Sequence, residues 1–156
     1  VIDDREKFSN TERFPDAFEV AVDNIPEWLE KTKMPAHAYA VILTRGHRHD
    51  LDALRALATR DLHYLGLIGS KAKVTRLHKA LREEGIRVEN PERLYAPVGL
   101  DIGAISPEEI AVSILAELIA VKYGKLAGAS DASSTGVKVL RWMPPAHEPA
   151  TVAAER

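Results

Sequence analysis

The order of apolar and polar stretches predicts an α/β fold in which a mostly parallel sheet is flanked by helices. Two observations carry this. The runs Tyr39-Ala40-Val41-Ile42-Leu43 and Tyr64-Leu65-Gly66-Leu67-Ile68 have the length and composition of strands, and each passes through a short polar connection into a segment with helical apolar spacing. Strands that alternate with helices across short connections are parallel and joined by right-handed crossovers, so the sheet is Rossmann-like.

The elements follow in order. Val1-Ile2 reads as the end of a strand entering the Asp3-Asp4 turn. The fold is therefore expected to lack its first strand-turn-helix, with more polypeptide upstream. Residues 18–22 (Phe-Glu-Val-Ala-Val) form a short strand, and Pro26 to about Lys31 a helical turn packed through Trp28 and Leu29. The 39–43 run shows no polar alternation and reads as a strand covered on both faces. A helix follows from about Asp50 to Arg60, with Leu51, Leu54 and Leu57 inward and Asp50 as its N-cap. Strand 64–68 leads through Gly69-Ser70 into a helix over 71–84, whose Val74, Leu77 and Leu81 face the sheet and whose end is set by Gly85. From Ile86 to Ile105 periodicity is lost, and Ala96-Pro97-Val98-Gly99-Leu100-Asp101-Ile102-Gly103 reads as a structured loop. The next helix has the clearest signals: Ser106 as N-cap, Pro107 at the first position and Glu109 at the third form a capping box ahead of Ile110, Ile114, Leu118 and Val121. Residues 1–125 are read as the domain. Residues 126–156 are read as an extension with a candidate strand at 137–142 and a Pro- and Ala-rich disordered tail.

Composition narrows the function classes. The 156 residues carry a formal charge of −2, so no general attraction to nucleic acid or acidic membranes is expected. There is no cysteine, which excludes disulfides and thiolate centres. The apolar stretch Ile110 to Val121 contains Ser113 and Glu117 and is too short to span a bilayer. No basic-then-apolar segment opens the chain, and a cytoplasmic location is expected.

Four places carry candidate chemistry. Asp3-Asp4 ends a strand where a dinucleotide fold places an acid on an adenosine ribose, although an Asx turn explains the pair equally well, and no G-x-G-x-x-G motif occurs. The densest cluster is Thr44-Arg45-Gly46-His47-Arg48-His49-Asp50, at the C-terminal end of a central strand, where open α/β sheets bind ligands. Arg45 and Arg48 suit phosphate or carboxylate, Gly46 allows close backbone approach, and His47 and His49 are residue types suited to shuttling protons. The alternative is a capped helix with solvated side chains. A metal reading is weaker, because the cluster has no further carboxylate or cysteine. Gly69, Ser70 and Lys71 combine a helix N-terminus, a hydroxyl and an ammonium, which attracts phosphate, whereas plain N-capping by Ser70 explains the same residues. Finally, Asp101 lies in the Gly99–Gly103 loop, and Glu117 and Ser113 sit one turn apart on an otherwise apolar helix. A carboxylate there is costly unless paired, so Glu117 either meets a cation, faces a polar cavity, or marks a helix end that reaches the surface.

Asp3-Asp4-Arg5, Thr44-Arg45-Gly46-His47 with His49-Asp50, the 64–71 stretch, Ala96 to Ala104, and Pro107-Glu108-Glu109-Ile110-Ala111 through Ala116-Glu117 resemble, in this order, the C-terminal Rossmann domain of the xanthine dehydrogenase accessory factor family (XdhC/CoxI). The resemblance runs from residue 1 to about 125. It implies an accessory protein, and not a turnover enzyme, that binds molybdenum cofactor, supports its sulfuration and helps insert it into xanthine dehydrogenase or a related molybdenum hydroxylase. A cysteine desulfurase and a homo-oligomer are further implied partners. On this reading Arg45, Arg48 and the Ser70 helix terminus hold the cofactor's phosphate or pyrophosphate, and His47, Asp101 or Glu117 meets the pterin. Two departures stand out. The glycine-rich strand-turn and the N-terminal domain that precede Asp-Asp-Arg in the family are absent from this sequence, and Tyr95 stands where the family commonly has histidine. The rival reading is an NAD(P)-dependent oxidoreductase, which the same fold and Asp3-Asp4 would serve. A structural half that dimerises through the helix over 107–123 is a third.

Overall fold

A computed structural model describes residues 1–126. Two parallel sheets form within it. In the smaller, β1 (Ile2–Asp3) pairs with β2 (Ala21–Val22), in register Ile2 to Ala21. In the larger, the order is β3 (Tyr39–Ile42), β4 (Tyr64–Leu67), β5 (Leu94–Tyr95), with Tyr39 opposite Tyr64 and Leu65 opposite Leu94. Four helices complete the fold: α1 (Ile25–Lys31), α2 (His47–Ala58), α3 (Lys71–Glu83) and α4 (Pro107–Lys122). The alternation expected from the sequence is present, and the parallel sheets with flanking helices are Rossmann-like.

The local chemistry explains the element boundaries. Asn24 accepts from Glu27 N to start α1, with Pro26 in its first turn. The Ser70 hydroxyl accepts from Lys73 N to start α3, and Gly85, at φ 73°, follows its end. The reciprocal capping box of Ser106 and Glu109 is complete at α4. Leu54 and Leu57 of α2, Leu65 and Leu67 of β4, and Val74, Leu77 and Leu81 of α3 are all buried in one core. At about 1.5–3 kcal/mol for each fully buried large apolar side chain, this cluster is the principal source of stability. A second cluster joins α4 to the sheet through Tyr64, Tyr95 and Val121, with the two tyrosine rings stacked 4.5 Å apart.

Several expectations are corrected. The first strand after β1 is only Ala21–Val22, since Phe18 is fully exposed. Asp50 does not cap α2. The helix begins three residues earlier at His47, with Gly46 in the N-cap position, and Asp50 lies inside the first turn. The 86–105 loop contains a 3-10 turn (Pro91–Arg93) and β5, which at two residues is too short to show periodicity. Most informative is β3: β4 is buried at every position, whereas Tyr39 and Val41 are exposed and only Ile42 is fully buried. The reason is position, because β3 is the terminal strand of its sheet. The candidate strand at 137–142 lies outside the described residues. Among the described residues no helix is long and apolar enough to cross a membrane.

Candidate functional site

A cavity of about 630 Å³ opens between β1 and β3. Its body is apolar, lined by Ile2, Trp28, Leu29, Val41 and Leu57 among others. Most of its polar groups come from the C-terminal ends of the two strands and the residues after them: Asp3, Asp4 and Arg5 from one side, Thr44, Arg45 and His49 from the other. Asp3, Asp4, Arg45 and His49, four of the residues singled out in the sequence, therefore line one hollow.

These groups differ in how far they are already engaged. Arg5 donates to both oxygens of Asp3, through Nε at 2.8 Å and Nη2 at 2.9 Å, and the Arg5 amide also donates to Asp3 Oδ1. Those bonds, reinforced by the guanidinium charge, hold the Asp3 carboxyl below its ordinary pKa against the opposing effect of burial. Arg5 also lies 3.5 Å from Asp4 and stacks over Phe8 at 3.9 Å. Arg45 has no ion-pair partner among the described residues, and it is exposed at the rim. Beside it, α2 starts at Gly46 with no side-chain cap. Gly46 adopts φ 82°, a left-handed conformation that favours glycine, and its missing side chain leaves the first-turn amides open to a ligand.

The neighbouring junction is closed by its own side chains. Ser70 caps α3, and Lys73, which no sequence motif singles out, reaches back with Nζ to the Ile68 carbonyl at 3.0 Å and to Asp50 Oδ2 at 2.5 Å. Asp50 is fully buried, and its other oxygen accepts from the Thr44 hydroxyl at 2.8 Å. One buried carboxylate thus ties the loop after β3 to the loop after β4. A Cβ on Gly69 would sit 2.5 Å from Lys73 Cδ, so glycine is what lets the lysine fold back. A signal for Lys73 does exist: a lysine one turn into α3, beside a strand whose neighbour ends near a buried acid. Gly46, Arg48, Gly69, Ser70, Lys71 and Asp101 do not line the cavity, so the expected convergence of Arg45 with Ser70 does not occur. For His47 only its place as the first residue of α2 is described.

Glu117 is corrected most sharply. It neither reaches the surface nor faces the cavity; it is fully buried, accepting from the Tyr64 hydroxyl at 2.5 Å and from the Gly99 amide at 3.0 Å. Burial, then the hydrogen bond to this carboxylate, drive the Tyr64 hydroxyl well above the ordinary tyrosine pKa, so it stays a donor. Ser113, one turn away, donates to the Leu100 carbonyl at 2.9 Å, and a Cβ on Gly99 would collide with its Oγ. Glu117 therefore anchors the Gly99 loop onto α4 and is unavailable to a ligand. From the sequence, Tyr64 is placed only at the start of a strand and not as a partner of Glu117, although a lone acid on an apolar helix demands such a donor.

Parallel strands, crossover helices and polar residues gathered at the strands' C-terminal ends define a Rossmann-type domain. Residues 1–118 match the family model described as the XdhC Rossmann domain, and the chain belongs to that family. A Bacillus subtilis (strain 168) protein, named as a probable xanthine dehydrogenase subunit, is 35% identical over 119 residues, covering 76% of this chain and 34% of that protein. The Escherichia coli (strain K12) protein YqeB, described as uncharacterized, is 43% identical over 81 residues, 52% of this chain and 15% of its own length. A crystal structure described as a xanthine dehydrogenase from Bacillus halodurans matches with a TM-score of 0.69 at 34% identity, covering 85% of this chain and 38% of that one. The chain thus spans little more than a third of the longest-matched relatives.

Proposed function

We propose that this chain is the ligand-holding portion of an accessory protein for xanthine dehydrogenase or a related molybdenum hydroxylase, and that the cavity mouth binds molybdenum cofactor during its sulfuration and insertion. Family membership and the name of the Bacillus subtilis relative support the client class. The observation that carries the site is Arg45: a cation without an ion-pair partner among the described residues, beside uncapped helix amides, at the rim of a cavity whose opposite rim is acidic. That arrangement suits a ligand with an anionic end for Arg45 and hydrogen-bond donors for Asp4. Molybdopterin offers both, a phosphate or pyrophosphate and the amino and amide groups of its pterin. Among the described residues no cluster of three His, Cys, Asp or Glu is placed to ligate a metal, so this chain would grip the organic part of the cofactor. Bound there, the cofactor itself would carry the sulfur chemistry, with a cysteine desulfurase as sulfur source and the hydroxylase as recipient; a homo-oligomer remains part of the proposal.

The competing NAD(P) reading needs a strand-end acid free to accept from ribose hydroxyls. Both Asp3 oxygens already accept from Arg5, which leaves only Asp4 for that task. Titration of the protein and its Arg45→Ala variant with molybdenum cofactor and with NAD separates the two. Cofactor binding that weakens about tenfold in the variant, the loss expected for one charge-assisted contact, supports the proposal. NAD binding with hydride transfer and no affinity for the pterin would replace it.

A further inference from the structure

α4 is apolar on both of its sides. Ser113, Ile114, Glu117 and Val121 are buried on the inner side, whereas Val112, Leu115 and Ile119 are 59%, 57% and 57% exposed, and Tyr123 at the C-cap is 67% exposed. At about 100° per residue these two sets point in nearly opposite directions. The outer stripe therefore faces straight away from the sheet. A second helix on the same face of the sheet would pack at the side of α4 and leave this stripe open. A helix that ends its fold at the surface carries polar residues there, and one that is apolar all round is covered.

Charge orders the same stripe. Glu108 stands at its start and Lys122 at its end, both exposed, and neither forms an ion pair among the described residues. Each lies seven residues from Leu115, and Ala111 and Ile119 lie four residues from it on either side. An antiparallel copy, turned about a two-fold axis at Leu115, sets Leu115 on Leu115, Ala111 against Ile119, Glu108 against Lys122 and Pro107 against the Tyr123 ring. The small Ala111 side chain makes room for Ile119. A parallel copy would instead oppose Glu108 to Glu108 and Lys122 to Lys122, and like charges in contact are costly.

From this self-complementary pattern we infer that two copies of the chain associate through α4, antiparallel and two-fold symmetric about Leu115, with Glu108 of each copy on Lys122 of the other. This gives the homo-oligomer of the proposed function a surface and a symmetry, and rests on none of its ligand assignments. One helix face is smaller than the roughly 800 Å² per partner of a standard interface, so a dissociation constant of roughly 1–100 μM is expected.

The test is analytical ultracentrifugation of the full 156-residue chain across that concentration range, where the mass should rise from one copy to two. Leu115→Arg puts two like charges on the axis and should weaken association by about 100-fold, with a melting temperature close to the parent's because Leu115 is exposed. Glu108→Lys and Lys122→Glu each turn two attractions into two repulsions and should weaken it by about tenfold. An equimolar mixture of these two single variants pairs lysine with glutamate at both ends and should recover the parental affinity as a mixed dimer. A chain that stays single throughout, association indifferent to Leu115→Arg, or charge variants that the mixture does not rescue would overturn the inference. So would a chain that associates only once residues 127–156 are removed, which would assign the stripe to its own tail. A single-copy chain that still binds molybdenum cofactor would sink this inference and leave the ligand reading in place.

Discussion

The loops after β3 and β4 lie on neighbouring strands of one sheet, and each leads into a helix, but they are finished in opposite ways. After β4, the Ser70 hydroxyl caps the helix and Lys73 covers the Ile68 carbonyl, so the junction uses its polar groups on itself. After β3, glycine replaces the cap, and Arg45 and His49 stand at a cavity with no such internal use among the described residues. Residue types that attract phosphate are present at both junctions. What separates a candidate site from a structural joint is whether those groups remain unspent once the fold is complete.

The buried link between the junctions is where the comparison is most easily broken. Lys73→Met leaves the Asp50 carboxylate buried without its counter-charge, and a loss of about 3–5 kcal/mol is expected in denaturant unfolding. Adding Asp50→Asn should recover most of it, because the stranded charge is gone; a double variant as unstable as the single one would mean that packing, not charge, sets the cost. Next comes Tyr64→Phe, which removes one of the donors to buried Glu117 and should cost about 1–3 kcal/mol without changing ligand affinity at the β3 junction. Ser70→Ala should cost about 1 kcal/mol, the worth of an N-cap, again with ligand affinity intact.

The smallest effect concerns acid. Asp3 has a folded pKa below its ordinary value of 3.8, so the Arg5 pair stabilises the fold above 3.8 and is lost as pH falls from there through the lower folded value. Thermal melts between pH 6 and pH 3, about the range in which carboxylates titrate, should show a shallower acid decline in Asp3→Asn than in the parent. An identical slope would show that the pair contributes nothing to stability.

Much of this fold is legible in the residues. The apolar runs of β3 and β4, the leucine spacing of α2 and α3 and the caps at Ser70 and Ser106 place these elements because each is a local signal. What escapes is non-local. Short β5 is held by pairing with β4 and not by its own pattern, and the Asp50–Lys73 and Tyr64–Glu117 pairs join residues far apart in the chain. Charge and glycine content, the sequence signals for the site, mark both junctions alike. Only the three-dimensional partners of Ser70 and Glu117 remove them from the ligand's reach, while Asp3, Asp4, Arg45 and His49 meet at one mouth. The exposure of β3 departs from expectation for a related reason: a run of apolar residues reports what a strand is suited to meet, and among the described residues β3 is paired on one side only.

The most direct measurement compares Arg45→Ala with Lys71→Ala in calorimetric titrations with molybdenum cofactor, after both variants are shown to melt with the parent. The difference between the two junctions predicts about a tenfold weaker affinity for the first and parental affinity for the second. Equal losses in both, or a loss confined to Lys71→Ala, would contradict it.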